Sequence, residues 1–266
     1  MSKPNILVPL VTPLDAHGEV CERSVQRLIH ACGPLVDGFI PCLTSGEGWR
    51  LSPRQWSDML GHTLRHALPV HQVVAGIELA STEAVIERAQ LAQTLGAAAI
   101  MVASPFGGGA SQEALFEHYR CVHDSTPLPL MVYNEAALSG NEKNLETLLR
   151  IAKLPRVIGL KDSPSQPRTQ AEVDQLRQAG VAYYIGWEQE LAGRLISDGN
   201  VVSLANVEPA LCRLAWQPGQ PGLAALITQL DAYHQLGEPA WYEHLKRELV
   251  ARGTLACAAT VPELAQ

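Results

Sequence analysis

The stretch Arg156–Ser163, RVIGLKDS, is apolar from Val157 to Leu160 and then ends on Lys161, Asp162 and Ser163. An apolar run without polar alternation is the pattern of a strand covered on both faces, as in a parallel sheet. A lysine closing such a strand ordinarily sends its ammonium to solvent while its stem packs on apolar neighbours. Whether Lys161 does so depends on what surrounds it in the fold.

Similar runs recur along the chain: NILVPLVTP (5–13), VDGFIPCLT (36–44), HQVVAGIE (71–78), AAAIMVASP (97–105), LPLMVYN (128–134), VAYYIGWE (181–188) and VVSLANV (201–207). With RVIGLKDS they make eight candidate strands. Between them, SVQRLIHACGPL (24–35), TEAVIERAQLAQTLG (82–96) and NLETLLRIAKL (144–154) carry apolar residues at three- and four-residue spacing, which predicts amphipathic helices. Alternating β and α over this length has two main solutions, an open doubly wound sheet and a closed (β/α)8 TIM barrel. The barrel is favoured. Eight units close one, no G-x-G-x-x-G turn follows the first strand, and polar residues of chemical interest end several different strands instead of clustering at one switch point. The expectation is a barrel over residues 1–217 and, over 218–266, a C-terminal helical extension packed on it as one structural unit. GLAALITQLDAYHQL and AWYEHLKRELVARG supply the two helix-like stretches of that extension.

Composition narrows the function. The 266 residues are 47% hydrophobic, with a net charge of −7 and no Lys/Arg block, which argues against a nucleic-acid partner. The N-terminal MSKPNILVPLVTPLD is interrupted by Pro9 and Pro13 and lacks the plan of a signal peptide. No apolar run reaches the roughly 18 to 20 residues of a membrane-spanning helix, so a cytoplasmic protein without membrane contact is expected. The six cysteines are scattered without a C-x-x-C pair and read as reduced, small hydrophobic residues. Neither they nor the nine histidines cluster at metal-ligand spacing, and no metal is expected.

In a barrel, Thr44 and Ser45 after the second strand, Tyr133 on the fifth and Lys161 on the sixth converge on the C-terminal mouth, where such barrels place their catalysis. There the bland readings, a solvent-seeking lysine, a core tyrosine and an N-capped turn, give way jointly to a chemical one. A lysine in a dry, apolar mouth has its ammonium form disfavoured, which frees the amine to attack a ketone and form a Schiff base. A neighbouring phenol can pass protons, and hydroxyls with backbone N–H groups can hold a carboxylate. The constellation describes an imine-forming enzyme acting on a 2-oxo acid. Glu47 reads instead as structural, tying down the loop after the second strand, and Trp49 and Trp187 as aromatics of the barrel rim.

At these residues the chain resembles the dihydrodipicolinate synthase / N-acetylneuraminate lyase family of pyruvate-dependent class I aldolases, from LVTPLD to the helices after residue 218. TSGE (44–47) stands for the family's T-T-G-E, YN (133–134) follows an apolar strand, and GLKDS (159–163) stands for G-[IL]-K-[ED]-[AST]. The resemblance implies that Lys161 is the Schiff-base lysine and Tyr133 the proton shuttle. It implies that Thr44 and Ser45 hold the substrate carboxylate and link to that tyrosine. Gly186 would line the pocket and Val202 form a small apolar wall, while Ser163, Glu188 and Ser203 fall where the lyase branch binds the hydroxyls of its sugar acid. No cofactor is implied beyond the covalent imine, and the partners are a small 2-oxo acid and an aldehyde. A homo-oligomer, dimer or tetramer, is typical.

The departures refine this. Where the family has T-P-Y-Y-N, ASPFGGGA (103–110) puts Gly107 at the second tyrosine, so the family's relay is incomplete or another donor such as water serves. Where the synthase branch has an arginine for aspartate semialdehyde, this chain has Leu138, and ALSG (137–140) is closer to the lyase branch, although GWEQ (186–189) is not that branch's G-Y-D-E. The expected function is thus a metal-independent, Schiff-base-forming aldolase or lyase for pyruvate or a related 2-oxo acid. The alternatives are dihydrodipicolinate synthase or a dehydratase using the same imine, and a non-catalytic barrel that binds 2-oxo acids.

Overall fold

The computed structural model describes residues 5–193, 195–217 and 220–262. Its eight strands are β1 (Asn5–Pro9), β2 (Gly38–Ile40), β3 (Gln72–Ile77), β4 (Ala99–Val102), β5 (Leu130–Asn134), β6 (Val157–Asp162), β7 (Ala182–Ile185) and β8 (Gly199–Asn200). All pair in parallel with their sequence neighbours, and β1 pairs with β8, which closes the barrel. The TIM-barrel expectation is met.

The strands are shorter than their apolar runs because the runs continue as buried loop at the C-terminal mouth. Residues 201–207 are the clearest difference from the sequence expectation. The eighth strand is Gly199–Asn200, and Ser203–Asn206 form a 3-10 turn instead. Asn206 explains the turn. Its amide accepts from Val11 N at 3.1 Å and donates to the Pro9 carbonyl at 2.9 Å, so the chain leaves the sheet to stitch its last loop to the end of β1.

Helices α1 (Glu22–Cys32), α2 (Pro53–His66), α3 (Thr82–Leu95), α4 (Gln112–Ser125), α5 (Leu145–Ala152), α6 (Gln170–Gln178) and α7 (Pro209–Leu214) follow the strands in turn. Those after β2 to β6 each open on a side chain that accepts a backbone N–H of the first turn: Ser52, Ser81, Ser111, Asn144 and Thr169. A cap of this kind contributes about 0.5–2 kcal/mol and fixes where the mouth loop before it ends. Among the described residues no helix is long and apolar enough to cross a membrane.

Two apolar clusters record the alternation of side chains along each strand. Ile6, Val8, Phe39, Val73, Ile100, Val102, Val132 and Leu160 face the helices. Leu7, Ile40, Val74, Ala99, Met101, Met131, Tyr133 and Tyr184 fill the barrel interior. Lys161 is in register with Tyr133 on one side and Tyr184 on the other, both interior residues. The strand parity therefore points the lysine inward, not toward solvent.

Helices α8 (Leu223–Tyr233) and α9 (Trp241–Ala251) pack over the mouth, α8 against the 3-10 turn Glu188–Glu190 and α9 against the turn Thr44–Gly46. A fully buried ion pair anchors α9: Lys246 Nζ meets Glu47 Oε1 and donates to the Ala259 carbonyl at 2.9 Å, while Val261 N donates to Glu47 Oε2 at 2.7 Å. Glu47 thus ties the loop after β2 to the C-terminal segment. Removing one partner of such a pair leaves an uncompensated buried charge. Lys246→Ala is expected to lose about 3–5 kcal/mol of unfolding free energy in denaturant titration. A loss near zero would show that the pair does not hold α9 in place.

Candidate active site

Lys161 is 4% exposed, and its Nζ sits 3.8 Å from the centroid of the Tyr133 ring. Among the described residues it forms no hydrogen bond or ion pair. Its neighbour Asp162, of opposite strand parity, faces outward and is fully engaged. It accepts from Asn134 Nδ2 at 2.8 Å, Arg168 Nε at 2.9 Å and the Tyr183 hydroxyl at 3.1 Å. That network holds β5, β6 and β7 in register, and so holds Tyr133, Lys161 and Tyr184 side by side.

Burial pushes the Lys161 amine below its ordinary range, against the opposing pull of the Glu78, Glu188 and Glu135 carboxyls nearby. Desolvation disfavours the charged form, and the acidic neighbours only partly restore it. Burial likewise raises the Tyr133 phenol, with Glu135 and Glu78 adding to the effect, so Tyr133 carries its proton at rest.

The loop after β2 brings the hydroxyls. Cys42 and Glu47 adopt left-handed backbone, φ 63° and 57°, on either side of the turn Thr44–Gly46. Non-glycine residues seldom hold that conformation, and the tight loop around them enforces it. Gly48 is required here, because a Cβ would lie 2.0 Å from the Cys42 carbonyl oxygen. The result buries Thr44 and Ser45 at the mouth. Thr44 Oγ1 donates to Glu78 Oε1 at 2.5 Å and lies 3.4 Å from the Tyr133 hydroxyl oxygen. The Ser45 and Ser203 hydroxyls are 2.8 Å apart, and Trp241 Nε1 of α9 donates to Ser203 Oγ at 3.0 Å.

The other sequence-predicted residues are distributed around this centre. Ser163 is buried beyond Lys161, with its N–H on the Asn134 carbonyl at 2.9 Å. A Cβ on Gly186 would fall 2.1 Å from Ser163 Oγ, so only glycine fits beside that serine. Glu188 is buried, accepts from Leu204 N at 3.1 Å, and is pushed above the usual carboxylate range by burial. Leu138 is half-buried in the turn after β5, its N–H held by Glu135 Oε2 at 2.8 Å. Val202 packs in the cluster facing the helices, and Val201 is the one that joins the interior cluster. Gly107 lies exposed in the loop after β4 with φ 112°. Trp187 donates to the Pro164 carbonyl at 3.1 Å, and Trp49 stands edge-on to Tyr242 at 6.0 Å.

Three residues near the site escape sequence reasoning. Trp241 reaches Ser203 from the C-terminal extension. Lys143 is 0% exposed, donates to Ser104 Oγ at 2.5 Å and to the Tyr133 carbonyl at 3.1 Å, and is pushed down to about 7 by burial. Its protons are committed to the wall behind Tyr133. Glu78, one residue past β3, is 2% exposed, and its Oε2 is buried without a hydrogen-bond partner. The signal for it was parity: Val74, Gly76 and Glu78 alternate inward as Gly159 and Lys161 do. Among the described residues, no three His, Cys, Asp or Glu side chains group so as to hold a metal ion.

The pattern of the dihydrodipicolinate synthetase family matches residues 3–233. The chain belongs to that family. The 4-hydroxy-tetrahydrodipicolinate synthase of Anaeromyxobacter sp. (strain K) is 30% identical over 242 residues, 89% of this chain and 82% of its own. Among solved structures, the dihydrodipicolinate synthase of Bacteroides thetaiotaomicron superposes with a TM-score of 0.85 at 25% identity, over 100% of this chain and 94% of that one. The Acinetobacter baumannii enzyme, solved in complex with pyruvate, shares the fold at a TM-score of 0.87 and 24% identity, over 99% and 93% of the two chains.

Burial, opposed by the Thr44 hydrogen bond, holds the Glu78 carboxyl well above its ordinary value of 4.5. Above that pH the folded protein keeps a proton that the unfolded chain has released, so stability from this group falls as pH rises toward the folded value. Relative to Glu78→Gln, the wild type should therefore lose stability between about pH 5 and about pH 8, by at most ~1.4 kcal/mol per pH unit. Thermal melts of both proteins across that range measure it. A pH-independent difference would mean that Glu78 ionises in the folded protein as it does in water.

Proposed function

We propose that the protein is a Schiff-base-forming class I aldolase or lyase that acts on pyruvate or a related 2-oxo acid, with an aldehyde as the second partner. The observation that carries this reading is Lys161 itself, an amine inside the barrel, against the Tyr133 ring, with its ammonium form disfavoured. Nothing in the packing of a barrel requires an amine there, and burying one is unfavourable unless it is used.

In the proposed cleavage, Lys161 Nζ attacks the ketone carbon of a 4-hydroxy-2-oxo acid, and water leaves to form the iminium. Tyr133, having given its own proton to the leaving water, then takes the proton of the C4 hydroxyl as the C3–C4 bond breaks. The electron pair moves into the iminium to give an enamine, and the aldehyde departs. Protonation of the enamine and hydrolysis release pyruvate and restore the amine. Thr44 and Ser45 are the proposed holders of the substrate carboxylate, with Gly186 and, in place of Val202, the inward-facing Val201 as pocket wall. Ser163, Glu188, Ser203 and Leu138 are the proposed contacts to the rest of the substrate. Every step uses the chain's own groups, so the reaction is proposed to be metal-independent and without a cofactor. A cytoplasmic homo-oligomer, dimer or tetramer, completes the reading, and light scattering after size exclusion measures the assembly.

Synthase chemistry on the same imine is a second reading. It is supported by the name of the 30% identical Anaeromyxobacter relative, while Leu138 in place of the arginine for aspartate semialdehyde speaks against it. A panel of 4-hydroxy-2-oxo acids, assayed for pyruvate release, tests the leading reading. Turnover of at least one is expected, reduced to background in Lys161→Ala, with an acid limb that lies below the ordinary lysine value of 10.5. Turnover that survives Lys161→Ala would contradict the imine. Lysine-dependent binding of 2-oxo acids without turnover, in this panel or with aspartate semialdehyde, would favour the non-catalytic barrel.

A further inference from the structure

Of the carboxyls near Lys161, Glu188 and Glu135 accept backbone N–H groups, at Leu204 and at Leu138 and Ser139. Glu78 alone of these three spends its bond on a hydroxyl of the site. A threonine hydroxyl has a single proton. Where Glu78 holds its proton it donates to the Thr44 oxygen, which frees the Thr44 proton for Tyr133, and the three oxygens follow one another at 2.5 and 3.4 Å from carboxyl to phenol. The far oxygen, Oε2, is buried and unpartnered, and it lies close enough to Gly48 that a Cβ there would come within 3.2 Å. A carboxyl serving only to brace Thr44 needs no second oxygen buried without a partner from the chain, since an unpaired buried acceptor is unfavourable. A carboxyl that alternates between holding and releasing a proton does have a use for it.

We propose that Glu78 is the proton store of a Glu78–Thr44–Tyr133 relay that serves imine formation at Lys161 and then becomes the counter-ion of the iminium. This rests on the imine reading above. The balance closes within the site. The reactive pair is a neutral Lys161 amine and a protonated Glu78. Nitrogen bonds to the ketone carbon, and the carbonyl π pair goes to oxygen. That oxygen is protonated by Tyr133, which is resupplied through Thr44. The nitrogen returns one of its protons to the relay, and the hydroxyl, protonated through the same relay, leaves as water. Two amine protons and one carboxyl proton have become one iminium proton and the two of water. Glu78 is left as carboxylate opposite the iminium, and the net charge of the buried site is unchanged. Charge conservation in a dry site lowers the barrier because neither an isolated cation nor an isolated anion has to form.

Glu78 acts through Thr44 and Tyr133, so it is a positioning and relay residue, and its test needs a readout beyond loss of rate. The groups facing it are Thr44 and Cys42 from the loop after β2, Tyr133 and Glu135 from β5 and its loop, and Lys161 from β6, with Glu188 facing Lys161 in turn. Burial raises Glu78 and lowers Lys161, and the two titrate as a pair.

Quenched-flow borohydride trapping of pyruvate, followed by intact mass, gives the rate of imine formation against pH. The wild type is expected to show a bell, rising as Lys161 loses its proton and falling as Glu78 loses its own. Glu78→Gln keeps the shape and cannot donate. It should still trap pyruvate, on the order of 10²-fold more slowly. It should also lose the alkaline decline while keeping its acid limb, because Glu78 is already neutral across that limb in the wild type. Thr44→Val cuts the relay while leaving Glu78 in place. It should slow trapping similarly and lose the alkaline decline, with the acid limb unmoved, and it decides the matter if Glu78→Gln does not fold. Glu78→Asp should recover part of the alkaline limb. A Glu78→Gln protein, or in its stead Thr44→Val, that keeps the alkaline decline overturns the relay, whatever its rate. A folded wild type that traps no 2-oxo acid overturns the imine reading and the relay with it, whereas normal wild-type trapping with unchanged variants overturns the relay alone.

Discussion

Much of this molecule follows from one constraint, the cost of keeping an amine dry. Strand parity and the pairing of Lys161 with Tyr133 and Tyr184 leave the lysine no route to solvent along its own strand. A lone ammonium in that position would be strongly unfavourable. The surroundings respond with carboxyls that approach without bonding to it and with a tyrosine ring at 3.8 Å whose face attracts a cation. The balance leaves an amine close to neutrality. A direct ion pair would have fixed the ammonium and removed the nucleophile.

Rigidity around that centre comes from fully satisfied groups one layer out. Asp162 bonds Asn134, Arg168 and Tyr183, and Lys143 bonds Ser104 and the Tyr133 carbonyl. The C-terminal helices add a third support, through Lys246 on Glu47 and Trp241 on Ser203. These contacts hold the loop after β2 and the turn after β8, the two segments whose hydroxyls face each other across the mouth. Buried networks of this kind rigidify when every member is partnered. The unpartnered Glu78 oxygen stands out against that background.

The barrel was legible in the sequence because doubly covered strands are apolar throughout, and RVIGLKDS with its seven counterparts repeats that signature. The convergence of Thr44, Ser45, Tyr133 and Lys161 was legible for the same reason, since each lies at the mouth end of its strand. The eighth strand was not. Residues 201–207 are apolar because they are buried as loop, and apolarity reports burial without distinguishing a ladder from a turn. Val202 and Val201 show the related limit, that a break in regular alternation exchanges which neighbour faces inward. Glu78 was missed because a glutamate after an apolar strand reads as a loop residue, and Trp241 because its partner Ser203 is 38 residues away in the chain. Gly107 was noticed as an absence, but no sequence pattern linked it to the acid that the fold places beside Thr44.

The claim on which all of this rests is that Lys161, rather than the equally buried Lys143, is the nucleophile. Reduction of the protein with borohydride in the presence of pyruvate, followed by peptide mass analysis, tests it most directly. A pyruvyl adduct confined to the peptide carrying Lys161 is the predicted result. An adduct on Lys143, or none on a folded protein with any 2-oxo acid, would contradict it.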